Sequence, residues 1–281
     1  MTEPTEVPAG ASETLPLPMH DEALPADNRK WKVLIGRVAV LVVAIAAWQF
    51  SAGNLVSTFY LPKPMMVYAE LAEWIGDGSL LGHIAATLIP AVKGFAIATF
   101  AALVLGYGLA MARSTAAVFE PYIAALYGIP IIAIVPLLIL WAGIGEELAV
   151  SVSALASFFL MFYNVYFGIR EVSKSLCDQV LIAGGSEWDL AVRVRLPSAL
   201  VWVIAGMKVA VPHSIVGVVV AEFLTGNKGL GFLLSSNANQ FNAPGTFAAV
   251  AVLASITFIL DRLLFVVTKR ALLWKDANHH N

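Results

Sequence analysis

Six long apolar runs divide this 281-residue chain, and they restrict it to one kind of fold. A helix needs about 20 apolar residues to cross the hydrocarbon core of a bilayer, and each run reaches that length. Hydrophobic residues make up 59% of the chain and charged residues only 13%, whereas a soluble domain carries about 25% charge. The sequence therefore predicts an all-α polytopic membrane protein. We place its six transmembrane helices at 33–52, 84–112, 119–142, 147–169, 198–222 and 245–270.

The two ends of the chain differ from this apolar domain. Residues 1–30 are acidic and rich in proline without a periodic apolar face, so we predict a disordered tail there. The basic residues from Arg29 to Arg37 lead straight into the first apolar run, which favours an uncleaved first span over a cleaved signal peptide. The predicted organisation is a tail at 1–30, a transmembrane domain at 31–275 and a short tail at 276–281.

Basic residues are unevenly distributed between the two sides of the predicted topology. If the N-terminus is cytoplasmic, twelve of the 17 Lys and Arg residues lie at cytoplasmic ends, and only Lys63 and Lys228 lie in the opposite loops. Positively charged loops stay on the cytoplasmic side of a membrane protein. We therefore predict that both termini and the 170–197 loop are cytoplasmic. On the opposite side, the stretch at 59–82 is predicted to include a helix along the membrane surface.

The 170–197 loop contains a predicted helix and its stop signal. Apolar residues between positions 172 and 183 recur at helical spacing, which predicts a short amphipathic helix. Gly184 and Gly185 follow at once, and glycine readily takes the left-handed conformation that ends a helix. The loop is thus predicted to turn sharply at these two glycines.

A second helix is predicted directly after the glycines. Ser186 and Asp189 are spaced as a capping box, and Arg193 and Arg195 suit the negative C-terminal end of such a helix. Pro197 then opens the next span, where its missing N–H group costs little. Two short helices would make a rigid elbow that passes a partner's movement into the adjoining spans. An ordinary amphipathic connector is the alternative interpretation of the same residues.

The same loop resembles the EAA motif of ABC importer permeases. In that motif an acidic residue precedes a glycine by six positions, and a Leu-Pro pair follows at a fixed distance. The matching residues here are Asp178, Gly184, Leu196 and Pro197, together with Ser186 and Trp188 of the GxSxW pattern. Asp178 stands in place of the usual glutamate, and Gln179 and Val180 replace the two alanines that give the motif its name.

Four further stretches resemble the nitrate, sulfonate, taurine and bicarbonate branch of those permeases. They are LPKP at 61–64, GIPIIAIVPLLILWAGIGE at 128–146, VVVAEFLTGNKGLGFL at 218–233 and LDRLLFVVTKRALLW at 260–274. Together the resemblance covers residues 55–275. It implies the type I ABC importer permease fold, in the plasma (inner) membrane of a bacterium.

The resemblance implies a subunit of an ATP-driven importer that depends on a binding protein. Its partners would be two copies of an ABC ATPase, an extracytoplasmic solute-binding protein, a second permease copy in a homodimer and the lipid bilayer. The permease would bind no cofactor itself, and the ATPase would use ATP and Mg. The sequence agrees, because it contains no G-x-x-x-x-G-K-[ST] phosphate-binding loop. The solute implied is a small organic or inorganic anion such as nitrate, a sulfonate or taurine.

The residues expected to couple the permease to its ATPase lie in the 170–197 loop. They are Asp178, Gly184, Gly185, Ser186, Trp188, Asp189, Arg193, Leu196 and Pro197. The residues expected to bound the pathway or its gate lie in the third and fifth spans and just beyond. They are Pro130, Pro136, Trp141, Lys208, His213, Glu222, Gly229 and Gly231. The sequence contains no catalytic triad, metal-ligand spacing or nucleic-acid-binding pattern, so neither an enzyme activity nor a nucleic-acid partner is expected.

Two of the pathway assignments rest on charged groups near the ends of spans or within them. Glu222 either lines a gate or forms a salt bridge with Lys228, because charges at span ends often reach water. His213 and Lys208 would attract an anion from one face of the fifth span. Alternatively, His213 is satisfied by a hydrogen bond between helices.

Pro130 and Pro136 lie six residues apart and therefore on different faces of the third span. We expect them to twist this span rather than simply bend it, because each proline removes a hydrogen bond on its own face. The distorted helix would either line a transport pathway or serve packing alone.

A different class of function is an ion-coupled secondary transporter or channel that works without an ATPase. Such proteins place acidic residues near the bilayer midplane, whereas the acidic residues here lie near the ends of spans. A purely structural membrane anchor is a third alternative, but an anchor would not need the rigid elbow.

Overall fold

The computed structural model describes residues 26–276, and the secondary structure elements in that range are helices. They are α1 (Ala26–Ser51), α2 (Pro64–Gly76), α3 (Ser79–Met111), α4 (Arg113–Tyr127), α5 (Ile131–Ala142), α6 (Glu146–Arg170), α7 (Lys174–Ile182), α8 (Glu187–Asp189), a π-helical segment (Leu190–Arg195), α9 (Leu196–Thr225), α10 (Leu230–Asn239) and α11 (Ala243–Asp276). The chain divides into two units, Met1–Gln49 and Phe50–Asn281. The predicted tails at 1–30 and 276–281 lie almost entirely outside the described residues.

The predicted transmembrane helices are present, and one of them is broken. Five helical stretches are long and apolar enough to cross a membrane: Trp31–Ser51, Ser79–Met111, Glu146–Arg170, Glu187–Thr225 and Ala243–Thr268. The sixth is a pair of helices, Ser114–Tyr127 and Ile131–Ala142, bent by 94° at a short break. With that pair counted as one span, the all-α fold with six spans is confirmed.

The bend in the third span corrects the prediction that its two prolines would twist it. Pro130 has an extended backbone (ψ 126°) and precedes α5, so it ends one helix and begins another. A proline has no N–H and disfavours the helical conformation of the residue before it, here Ile129. The N–H of Ile129 accordingly turns back to the carbonyl of Leu126, at 3.2 Å. Pro136 lies inside α5 and does not interrupt it.

The core of the second unit is the packing of α6 between α3 and α9. Large buried side chains come from α6, among them Met161, Phe162 and Val165, and small ones face them from the neighbours, such as Ala102 on α3 and Ala210 on α9. Lipid tails are as apolar as these side chains, so helix association in a membrane depends on van der Waals packing rather than on exclusion of water. Small residues on two helices and large residues on the third provide that packing.

Two glycines allow a close approach between these helices. A Cβ atom added to Gly94 of α3 would lie 2.5 Å from the Cβ of Ser153, and one added to Gly217 of α9 would lie 2.8 Å from the Cα of Ser153. Ser153 of α6 is fully buried between them, and its hydroxyl donates to the carbonyl of Ala91 at 3.3 Å. Such interhelical hydrogen bonds contribute about 0.6 kcal/mol on average. Close packing therefore holds these three helices together more than the hydrogen bond does.

Two short helices, α2 and α10, pack at the end of the bundle where α3 begins and α9 ends. The predicted helix between the first two spans is present as α2, and it packs against α11 and α3. A small apolar cluster of Leu80, Leu230 and Val252 joins α3, α10 and α11. The turn into α3 is fixed by Asp77, whose Oδ1 accepts the N–H of Ser79 at 2.8 Å. Hydrogen bonds from Ser79 hold the pKa of the Asp77 carboxyl below its usual value.

Candidate functional site

The turn in the 170–197 loop depends on a glycine in the left-handed region. Helix α7 begins after Ser173, whose hydroxyl accepts the N–H of Leu176 at 3.2 Å. It ends before Gly184, whose φ is +83°. The N–H of Gly185 then donates to the carbonyl of Val180 at 2.9 Å, which closes the helix end. A residue with a β-branched side chain would be strained at Gly184, because such residues rarely adopt a positive φ.

The predicted capping box follows immediately and is present in full. The N–H of Asp189 donates to the hydroxyl of Ser186 at 3.2 Å, and the N–H of Ser186 donates to Asp189 Oδ2 at 3.0 Å. The Ser186 hydroxyl also donates to the same carboxylate oxygen at 2.6 Å. A capping box satisfies two N–H groups that a helix start would otherwise leave without partners. Only four residues, 183–186, therefore separate the end of α7 from the fixed start of α8.

The second helix of the loop does not end before the fifth span, which corrects the predicted elbow of two short helices. The chain remains helical from Glu187 to Thr225, through the π-helical segment and into α9. In the π-helical segment the N–H of Leu196 donates to the carbonyl of Ala191, five positions back. Proline inside a helix clashes with the carbonyl four positions back, and for Pro197 that carbonyl lies in the π-helical segment. The wider π turn accommodates the proline without breaking the helix.

Charged and apolar side chains share the exposed surface of this loop. Arg193 Nε lies 3.2 Å from Asp189 Oδ1, and an Arg195 guanidinium nitrogen lies 3.2 Å from Glu187 Oε2. The Arg193 side chain is 80% exposed, and an ion pair at the surface contributes about 0 to 1 kcal/mol, so this pair shapes the surface more than it stabilises it. The side chain of Trp188 is 75% exposed. Asp178 lines a cleft of about 260 Å³ between the loop and the ends of α3 and α6.

The pathway residues of the fifth span do not form a common surface for an anion. Lys208 directs its ammonium group over the ring of Phe265 on α11, with Nζ 5.6 Å from the ring centroid. His213 instead bonds within its own helix, with Nδ1 2.9 Å from the carbonyl oxygen of Val209. The predicted alternative of a hydrogen bond between helices is therefore wrong for His213. The two residues face different neighbours.

Glu222 is buried and does not pair with Lys228, so the predicted salt bridge is wrong. Its carboxylate accepts the hydroxyl hydrogen of Thr87 on α3, with distances of 2.9 and 3.0 Å to the two oxygens. It also accepts the N–H of Gly231 at the start of α10, at 2.8 Å. The pairing with Thr87 could not be read from the sequence, because that threonine lies in an apolar span 135 positions away.

The two pathway glycines, Gly229 and Gly231, lie where α10 approaches this carboxylate. Gly229 has a φ of +108°, and a Cβ atom there would lie 2.1 Å from the carboxyl carbon of Glu222. A Cβ atom on Gly231 would lie 2.5 Å from the carbonyl oxygen of Val219. His83 of α3 was not predicted as a site residue, yet its Nδ1 accepts the N–H of Gly229 at 3.0 Å. These glycines thus allow the start of α10 to meet side chains of α3 and α9.

Two cavities open near this end of the bundle, and a third lies at the bend of the third span. The first, of about 480 Å³, is bounded by Glu222, Lys228 and residues of α3. The second, of about 610 Å³, contains an ion pair between Lys93 and Glu146, with Nζ and Oε1 2.5 Å apart. The third, of about 170 Å³, is lined by His213 and by residues that flank Pro130. Trp141, at the end of α5, is largely exposed.

Comparison with known proteins agrees with this architecture. Residues 94–272 match the family described as binding-protein-dependent transport system inner membrane component. The chain belongs to this family. It is therefore the permease subunit of an ABC importer and a multi-pass inner membrane component, and it is a transport subunit rather than an enzyme. The ATPase of such an importer is a separate subunit.

Individual relatives match most of the chain. The riboflavin transport system permease protein RibX of Chloroflexus aurantiacus is 33% identical over 88% of this chain and 92% of its own. A putative aliphatic sulfonates transport permease protein of Bacillus subtilis, SsuC, is 28% identical over 84% of this chain and 86% of its own. The taurine transport system permease protein TauC of Escherichia coli is 25% identical over 90% and 96%. Their names cover solutes of different chemistry.

A solved structure supports the fold. An inward-facing structure of the MetNI methionine ABC transporter contains a chain that covers 71% of this one and 95% of its own length, with a TM-score of 0.53. The two sequences are 18% identical, so the likeness concerns the fold alone.

Proposed function

We propose that this permease forms half of a homodimeric translocation unit. Two ATPase subunits would dock on the 170–197 loop, and an extracytoplasmic binding protein would deliver the solute to the opposite side. The observation that carries the proposal is the uninterrupted helix from Glu187 to Thr225, which begins in the loop and continues through the fifth span. A partner that moves the loop would thereby move the span itself.

Rigid transmission requires that the loop does not absorb the movement. The turn at Gly184 is closed by a backbone hydrogen bond, and the next helix start is fixed by Ser186 and Asp189. An ordinary connector needs neither device. The structure of the loop therefore supports the coupling role over the connector that the sequence also allowed.

The exposed surface of the loop has the chemistry of a protein docking site. Trp188 and Ile182 are 75% and 86% exposed, and the charged residues Glu187 and Arg193 lie close in sequence. Energetically important interface residues are typically aromatic anchors, surrounded by polar groups that exclude water. We propose that Trp188 is such an anchor and that Asp178, which lines the cleft beside the loop, supports the docking surface.

The solute is proposed to be a small organic molecule. The names of SsuC and TauC favour the anion of sulfonate type that the sequence predicted, while the name of RibX favours a ring compound. Lys208 and His213 lend no support to an anion, because they face different neighbours. The residues that line the pathway therefore have to decide between a sulfonate-type anion and a ring compound.

Substitution of Gly184 tests the coupling role. Gly184→Val should be strained by about 1–3 kcal/mol, because valine disfavours a positive φ, whereas Gly184→Asn is a matched control that tolerates this conformation. We expect Gly184→Val to reach the membrane at normal levels but to recover several-fold less ATPase on purification in mild detergent, as quantified by mass spectrometry. Gly184→Asn should recover nearly as much ATPase as the wild type.

Two results would contradict this proposal. If the wild-type protein is recovered without an ATPase and moves solute in vesicles that lack ATP, the ion-coupled alternative replaces this proposal. If Gly184→Val retains its ATPase and full ATP-dependent uptake, the turn is not part of the coupling route.

A further inference from the structure

The bend of the third span creates a recess between four helices. It has a volume of about 170 Å³, and its walls include Tyr127 of α4, Ile131 of α5, Phe159 of α6, and His213 and Val216 of α9. Pro130 separates the helices that carry Tyr127 and Ile131, so the recess exists because the span is broken. Broken helices are tolerated in membranes where they line a cavity.

Aromatic rings form one wall of the recess. The ring of Tyr127 lies 5.8 Å from that of Phe159, tilted by 50°, and 5.6 Å from that of Tyr163 in an edge-to-face arrangement. These distances are within the range of favourable aromatic contacts. The two neighbours hold the Tyr127 ring in position while half of the side chain stays exposed. A fixed and half-exposed ring is suited to stacking against a planar molecule.

His213 adds a polar ring to these mostly apolar walls. Its Nδ1 lies 2.9 Å from the carbonyl oxygen of Val209, so Nδ1 carries the hydrogen of that bond. In the neutral imidazole the other nitrogen, Nε2, is then a hydrogen-bond acceptor. An occupant with an N–H group satisfies this acceptor, whereas a lipid tail would leave it without a partner, at a cost in free energy.

The charge of the recess disfavours an anion. Neither Lys nor Arg is among the residues that line it, and the nearby Lys208 directs its ammonium group to Phe265 instead. A carboxylate or sulfonate placed there would lose its hydration without gaining a cation. An uncharged planar ring would lose far less.

We propose that this recess is a transit site for a nitrogen heterocycle that carries an amino or ring N–H group. Its ring stacks on Tyr127 and contacts Phe159, and its N–H donates to Nε2 of His213. An apolar cavity of about 150 Å³ binds benzene, so a recess of about 170 Å³ admits one six-membered ring. The inference rests on the proposed importer function and narrows its solute class.

Direct binding to the permease–ATPase complex tests the site without requiring transport. The complex, in lipid nanodiscs without nucleotide, is titrated with tritiated 4-aminopyrimidine, and bound label is counted by scintillation proximity. We expect saturable binding that unlabelled 4-aminopyrimidine displaces and that taurine does not. His213→Phe retains a ring but lacks the acceptor, and should weaken binding about tenfold or more.

A matched pair of substitutions tests the ring wall. Phe159→Leu should also weaken binding, because it removes one of the rings that hold Tyr127. Phe100→Leu makes the same change on the exposed surface of α3, away from the recess, and should leave binding unchanged.

Several outcomes would overturn the site. Equal binding by His213→Phe and wild type, displacement by taurine, or no saturable binding at all would each do so. A disulfide between two copies of Val216→Cys in a Cys177→Ser background would show that the second permease copy fills the recess. Since the complex is isolated with its ATPase before the titration, each of these failures is distinct from a failure of the importer function.

Discussion

At the residue scale, three side chains accept the N–H groups at the start of α10. The N–H of Gly229 donates to His83, that of Leu230 to Thr87 at 2.9 Å, and that of Gly231 to Glu222. The first N–H groups of a helix have no partner within the helix, and their partial positive charge favours a nearby carboxylate. Side chains of α3 and α9 thus cap a third helix. We call His83, Thr87 and Glu222 together the structural lock. Glu222 belongs to this group rather than to a surface ion pair.

Thr87 is the central member of this lock, because it both donates and accepts. Thr87→Val retains the shape but removes the donor to Glu222 and the acceptor for Leu230. Each buried group left unpaired costs about 1–3 kcal/mol, so we expect a fall of several degrees in the midpoint of thermal unfolding of the detergent-purified protein. Thr87→Ser keeps the hydroxyl and should remain close to wild type. Equal midpoints for Thr87→Val and wild type would show that the lock contributes nothing to stability.

At the element scale, α3 shows how position decides what a glycine does. Gly94 faces α6 at a distance that excludes any side chain, whereas nothing lies within 4 Å of a Cβ atom built on Gly108 of the same helix. Gly94 follows Lys93 and Gly108 follows Tyr107, and the other residues around both glycines are apolar. These neighbours do not reveal which glycine lies against another helix, and only the packing of α3 on α6 does.

Substitution of these two glycines by alanine should affect the free energy of unfolding differently. Gly94→Ala should lower the free energy of unfolding by about 1–3 kcal/mol, because the helices must separate to admit a methyl group. Gly108→Ala should be neutral or should stabilise the helix by up to about 1 kcal/mol. Thermal or denaturant unfolding of both variants in the same detergent measures the difference. A Gly94→Ala protein as stable as Gly108→Ala would contradict the close approach of α3 and α6.

The elements also show which parts of the fold a sequence can predict. The end of α7 and the capping box depend on residues a few positions apart, so Gly184, Ser186 and Asp189 predicted them correctly. The spacing of Pro130 and Pro136 predicts a twist where the structure has a break, because local patterns do not reveal whether neighbouring helices leave room for a sharp bend. The partner of Glu222 depended on packing between spans distant in the sequence. Local hydrogen bonds were predictable, and contacts between helices were not.

At the scale of the whole molecule, one continuous helix joins the candidate sites. The stretch Glu187–Thr225 contains 39 residues and is about 58 Å long at 1.5 Å per residue. It begins at the proposed ATPase docking surface, carries His213 of the recess about two-thirds of the way along and ends beside Glu222 and the start of α10. The proposed coupling route thus follows one helix from the ATPase docking surface past the recess to the lock, so a displacement at one end would act on both.

The single cysteine of the chain tests the predicted orientation of this assembly. Cys177 lies in α7 and is partly exposed, so a membrane-impermeant maleimide should label it in inside-out vesicles and leave it unlabelled in right-side-out vesicles if the loop is cytoplasmic. Glu73→Cys in a Cys177→Ser background places the thiol on the exposed surface of α2 instead. That variant should give the reverse pattern, because an odd number of spans separates the two positions. Labelling of both thiols from the same side would mean that the bent pair α4 and α5 does not cross the membrane, and would reduce the topology to five spans.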